Sequence, residues 1–257
     1  MRFATLEVGV SGLRAEIALN RPEKLNAMSG EMLLELADAA RFLDQQEAVK
    51  VVVVGGRGRA FSSGADVSVF AAEDPGPSAR RASAELGRLM AEAIGSMTAV
   101  TIARIHGHCV GGAVVLAAAC DLRVATDSAR FSIPEVDLGI PLAWGGIQRL
   151  VREIGPAMTK ELVLTCRPFS AAEAREFGFV NRVVAQEHLD ATVEELVASL
   201  VEKSALTLAS TKRAVNAASD AMVPTAGAWS DADALLTALA DPESRRVAEA
   251  YLLRLHP

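Results

Sequence analysis

Apolar residues fall along this chain in two alternating patterns. Residues 3–9 and 14–19 are short, β-leaning stretches parted by Ser11-Gly12, which predicts a hairpin. From 30 to 46 the spacing turns helical, with Met32, Leu33, Leu36, Ala37, Ala40 and Leu43 on one face and Ser29 as N-cap. The run VKVVVVGG (49–56) is continuous, β-branched and closed by glycine, as a buried strand requires. AAEDPGPSAR (71–80) is loop by composition, followed by a helix over 81–97 and a strand over 99–105. GAVVLAAA (112–119) predicts a helix buried on all sides, and DLRVAT and RFSI predict short strands. Beyond Gly145 the signals are helical, near 146–153, 157–165, 171–176, 187–203 and 205–219. A last helix spans about 242–254, with Asp241 as N-cap and Pro242 at its first position. Strands alternating with helices, then helices alone, imply an α/β core (1–195) and a C-terminal helical region (196–257).

Composition narrows the class. The 257 residues are 51% hydrophobic and 23% charged, enough for a sizeable core and inconsistent with general disorder. A net charge of -6 argues against a nucleic-acid partner but not against an anionic small molecule, which a few cations and backbone N–H groups can hold. The longest apolar run, Cys109 to Cys120, is too short to span a bilayer, and MRFATLEVGV lacks the apolar core of a signal peptide. A cytoplasmic protein with no membrane partner is expected. Only five of the 26 basic residues are lysine, a bias that suggests a GC-rich bacterial source. Three cysteines without zinc spacing predict neither a disulfide framework nor a metal site. His106 and His108 lie two apart, so a shared strand face is conceivable, but no third ligand accompanies them. Tyr251 sits on an apolar helix face with Val247 and Leu255, where packing explains it.

P-loop, GxGxxG, HExxH and GxSxG patterns are all missing. Three other segments carry a signal together: LNRPEKLNAMS (19–29), AFSSGADV (60–67) and GHCVGGAVVLAAACDLRVATDSARFSIPEVDLGIPLAWGGIQRL (107–150). Together they resemble the crotonase superfamily, the enoyl-CoA hydratase/isomerase family, over nearly the whole chain. The resemblance implies a spiral of ββα units and a C-terminal helical region that packs a homotrimer, often doubled to a hexamer. It also implies an acyl-CoA substrate of fatty acid metabolism, with no cofactor besides that CoA thioester.

Site residues follow from the same resemblance. Ala65 and Gly112 match the two positions whose N–H groups form the family's oxyanion hole, which holds the negative thioester oxygen of an enolate. Gly112 also opens the apolar helix, whose dipole favours an anion there. Lys24, Leu25 and Ala27 match the nucleotide side of the CoA slot, and Asp66 and Val67 continue its adenine and thioester turn. Lys24 reads equally well as a solvated turn lysine, and Asp66 as a cap of the segment after it.

The pattern breaks at one acid. Family hydratases use two glutamates. Pro134-Glu135 keeps the second, whereas Val115 stands where the first belongs, three residues after Gly112. Ala143 stands where a dienoyl isomerase or dehalogenase branch carries aspartate. One carboxyl is left, and burial near Val115, Ile133 and Trp144 should raise its pKa. Single-base isomerisation by Glu135 is therefore favoured over hydration. Trp144 either walls the acyl pocket or simply packs, and Asp137 shares a face with Glu135 only if 135–137 is extended. The rival reading is a non-catalytic acyl-CoA-binding protein.

Overall fold

The computed structural model describes residues 2–66 and 76–255. A six-stranded sheet runs in the order β1-β2-β3-β4-β6-β9, and a three-stranded sheet in the order β5-β7-β8. β1 (Leu6–Ser11) and β2 (Arg14–Leu19) form the antiparallel hairpin, turned by Gly12 at φ 61°. From β2 onward the large sheet is parallel, through β3 (Val51–Gly56), β4 (Val100–Ile105), β6 (Leu122–Thr126) and β9 (Arg182–Val184).

The valine run of β3 is explained by having helices on both faces. Side chains alternate sides along a strand. Val52 and Val54 join the main core with α1 (Gly30–Asp44), α2 (Pro77–Gly95) and α3 (Gly112–Ala119). Val51 and Val53 join a second core with Leu189, Val193 and Val197 of α6 (Leu189–Val201). A ββα repeat is visible in the order β4, β5 (His108–Val110), α3, and again in β6, β7 (Arg130–Ser132), α4 (Gly146–Thr165). This is the expected crotonase-like α/β architecture.

Several local expectations hold. Ser29 Oγ accepts the Met32 N–H at 3.2 Å, and Asp241 Oδ2 accepts that of Ser244 at 2.8 Å, ahead of α9 (Pro242–Leu255). The separate helical signals at 146–153 and 157–165 are the two helical segments of α4, parted where the backbone of Gly155 (φ 73°) leaves the helical region ahead of Pro156. Others needed correction. Residues 77–80 open α2 rather than extend a loop, because Pro77 begins the helix where its missing N–H costs nothing. Residues 71–75 and Val67 lie outside the described residues. Short β5, β8 (Phe169–Ser170) and β9 were not anticipated, nor was α8 (Asp231–Ala240), which follows α5 (Ala171–Glu176), α6 and α7 (Ala205–Met222). Residue 195 lies within α6.

Among the described residues, no helix is long and apolar enough to cross a membrane. Arg123 is buried beneath α3 and donates to the Ala117 carbonyl at 3.2 Å and the Cys120 carbonyl at 2.8 Å. A cation thus caps the C-terminal end of the helix whose N-terminal end forms the site described next.

Candidate active site

The site begins with a tight turn. Pro22–Lys24 is a single 3-10 turn, and Leu25 and Asn26 follow it in the left-handed region (φ 50° and 55°). Asn26 is fully buried, and its amide holds two segments together. Nδ2 donates to the carbonyls of Arg57 (2.9 Å), Ala60 (2.9 Å) and Phe61 (3.2 Å), while Oδ1 accepts the Arg21 N–H at 2.9 Å. Ser62 Oγ donates to the Asn26 carbonyl at 2.8 Å and accepts the Gly64 N–H at 3.0 Å. Segments 19–29 and 60–66, distant in sequence, therefore meet through buried polar side chains that hydrogen-bond across them.

This stitching orients Ala65. In a parallel bridge, Met28 donates to the Gly64 carbonyl at 2.8 Å and accepts the Asp66 N–H at 3.0 Å. Met28 thus engages the peptides on either side of Ala65, and the Ala65 N–H points away from it. Gly64 (φ 92°) rests on the third segment: a Cβ there would lie 2.5 Å from the Val110 carbonyl oxygen and 3.5 Å from the Gly112 nitrogen. Gly112 is the first residue of α3, so its N–H has no acceptor within the helix. Among the described residues, neither the Ala65 nor the Gly112 N–H has a hydrogen-bond partner. Ala65 is exposed and Gly112 buried.

Glu135 approaches Gly111, the residue immediately before Gly112. Pro134–Gly139 is a helical turn, closed by Leu138 N–H to the Pro134 carbonyl (3.0 Å) and Ile140 N–H to the Glu135 carbonyl (2.9 Å). The condition for Asp137 to share a face with Glu135 therefore fails, and Asp137 is exposed. The Glu135 carboxyl reaches Gly111 (φ 54°), where a Cβ would lie 2.6 Å from Oε1. Oε2 is buried without a hydrogen-bond partner. Burial raises the Glu135 pKa to about 7, partly offset by a backbone N–H, as the sequence led us to expect.

Gly112 meets Trp144 in the same way. A Cβ on Gly112 would lie 2.2 Å from indole Cζ3, and one on Gly87 of α2 would lie 1.9 Å from Cδ2. The indole is wedged between two glycines on two helices. Val115 is fully buried one turn beyond Gly112, and a Cβ on Gly146 would lie 2.8 Å from its Cγ2. Ala143 is buried nearby and Pro134 half-buried.

On the outer side, Lys24 is exposed, and Leu25 and Ala27 are half-buried. The Asp66 carboxylate pairs with Arg21 at 2.9 Å, and Arg21 also donates to the Ala27 carbonyl at 2.6 Å. Sequence reasoning passed over Arg21 and Asn26, although both lie within the LNRPEKLNAMS segment. The two histidines do not share a strand face, because Gly107 (φ 60°) turns the chain between them. His106 Nε2 pairs with the Gly58 carbonyl at 2.9 Å, burial lowers its pKa, and His108 is exposed. Among the described residues, no three His, Cys, Asp or Glu side chains cluster to hold a metal, and the three cysteines are buried and free.

The repeated ββα units and the helix N-terminus set against two turns form a crotonase-type architecture. A family model for Enoyl-CoA hydratase/isomerase matches residues 11–257, and the chain belongs to the enoyl-CoA hydratase/isomerase family. It is 35% identical over 203 residues to a crotonyl-CoA hydratase of Syntrophomonas wolfei, covering 79% of this chain and 77% of the relative. It is 37% identical over 207 residues to a peroxisomal Delta(3,5)-Delta(2,4)-dienoyl-CoA isomerase of Arabidopsis thaliana, covering 76% and 74%. The crystal structure of an enoyl-CoA hydratase/isomerase from Xanthobacter autotrophicus Py2 superposes with a TM-score of 0.87 at 30% identity, covering 100% of each chain.

Proposed function

We propose that this enzyme holds the carbonyl of a CoA thioester between the Ala65 and Gly112 N–H groups and moves protons with Glu135 alone. With a 3-enoyl-CoA, the Glu135 carboxylate takes a proton from C2. The C–H electron pair enters the conjugated system, and negative charge develops on the thioester oxygen, where the two amides and the α3 dipole stabilise it. Glu135 then returns the proton to C4, moving the double bond from C3–C4 to C2–C3. Atoms and charge balance without water, metal or redox partner.

The observation that carries this reading is the Glu135 carboxyl itself, buried, unpartnered at Oε2 and raised to a pKa of about 7 beside the Gly111–Gly112 pair. A pKa there lets one group act as both base and acid near neutrality. Val115 and Ala143 supply no second carboxyl, which disfavours efficient hydration and any isomerisation that needs a second acid. Lys24, Leu25, Ala27, Asp66 and Val67 are proposed to line the CoA slot, with Pro134, Val115, Ala143 and Trp144 around the acyl group. Exposed Leu206, Val215, Met222 and Leu253 support self-association of residues 196–257 into a homotrimer or hexamer.

The deciding experiment incubates the protein with a 3-enoyl-CoA and a 2-enoyl-CoA and follows both by mass spectrometry. Isomerisation abolished in E135Q, with hydration far slower, supports the proposal. Rapid hydration by the native protein would overturn the single-base mechanism. The missing first glutamate favours one rival, a non-catalytic acyl-CoA binder, and tight retention of thioester with no turnover would establish that instead.

A further inference from the structure

Trp144 is held in a conformation that a bulky residue does not adopt freely. Its φ is 64°, in the left-handed region, where a residue with a Cβ is strained. Such strain persists only where the surroundings impose it. Arg149, buried, donates to the Trp144 carbonyl at 3.3 Å and the Gly145 carbonyl at 3.1 Å. The Asp231 carboxylate at the start of α8 accepts the Gly145 N–H at 2.8 Å. The peptide bonds flanking Gly145 are thus gripped from α4 and from α8.

The result is a fixed indole in the slot between Gly87 and Gly112, where no other residue type would leave room. One edge lies against the Cα of the residue whose N–H opens α3. The packing one turn beyond Gly112 is apolar as well, since a Cβ on Gly146 would lie 2.8 Å from Val115 Cγ2 and 3.0 Å from Leu142 Cδ2. Trp144 as a whole residue is half-buried and packs against the main core.

We propose that Trp144 is the wall that limits acyl length, making this enzyme selective for short, compact CoA thioesters. The proposal rests on the reading above that the Gly112 N–H binds the thioester oxygen. An acyl chain continuing past that carbonyl between α2 and α3 meets the indole within its first few carbons.

Binding of butanoyl-, hexanoyl- and octanoyl-CoA by isothermal titration calorimetry tests this in wild type, W144A and W144F. Wild type should gain nothing from butanoyl to octanoyl. In W144A each methylene newly admitted should strengthen binding by up to about fourfold, so octanoyl-CoA binds about tenfold or more tighter than to wild type. W144F should fall between them, and it decides the matter with the wild-type series if W144A does not fold. A wild-type affinity that climbs through octanoyl, or variants with the wild-type profile, overturns the wall while leaving the thioester site intact. If no thioester binds to wild type or variant, the Ala65–Gly112 reading itself fails, and the wall with it.

Discussion

Glu135 Oε1 lies where a side chain on Gly111 would begin: a Cβ built there would be 2.6 Å from it. The glycine is required twice over, by its φ of 54° and by the acid that occupies its missing side chain's place. G111A should therefore displace Glu135 and strain the entry to α3. We expect a loss of at least about 2 kcal/mol in stability and a hundredfold or more in turnover, measured by urea denaturation and isomerase assay.

Replacing the carboxyl tests the chemistry without changing its shape. E135Q should lower proton-transfer turnover by about 10²–10⁴-fold while leaving acyl-CoA affinity within a few-fold. Because Oε2 has no partner to lose, the variant should be no less stable than wild type at neutral pH. Deuterium incorporation at C2 from D2O is the direct readout, and undiminished exchange in E135Q would remove Glu135 from the mechanism.

The raised pKa also predicts a pH dependence of stability. Glu135 has a folded pKa of about 7, against an ordinary value of 4.5. Between these values the folded state binds more protons than the unfolded state, so stability falls as pH rises through that window. The full loss is on the order of 3 kcal/mol, reached above pH 7. Denaturation at pH 5 and pH 8 should show this fall in wild type and not in E135Q. Catalysis runs the other way, since the carboxylate is the base, and the first-order rate should rise with pH and level off above about 7.

Val115 is the site for regaining hydration. V115E places a carboxyl one helical turn from Gly112, where Val115 Cγ2 already packs close to Gly146. The added volume and charge should destabilise the fold by several kcal/mol. Per folded molecule, hydration of a short 2-enoyl-CoA should still rise about tenfold or more. A folded variant with no gain would count against the placement of Val115 at the first-acid position.

Much of this protein is legible from local pattern. The β3 valines, the all-apolar α3, the Ser29 and Asp241 caps and the break at Gly155-Pro156 follow from periodicity and backbone chemistry within a few residues. The roles of the glycine turns and the Pro-Glu pair came instead from the three segments' resemblance to a known family. The short strands β5, β8 and β9 were not visible, because strands of two or three residues carry too little pattern and exist only through their partners. Tertiary structure alone decided that Asn26 binds three carbonyls more than thirty residues away, that Gly111 makes room for Glu135, and that a strained Trp144 fills the slot between Gly87 and Gly112. Those relationships depend on close packing between distant segments, and close packing is a property of the assembled core rather than of any stretch of chain.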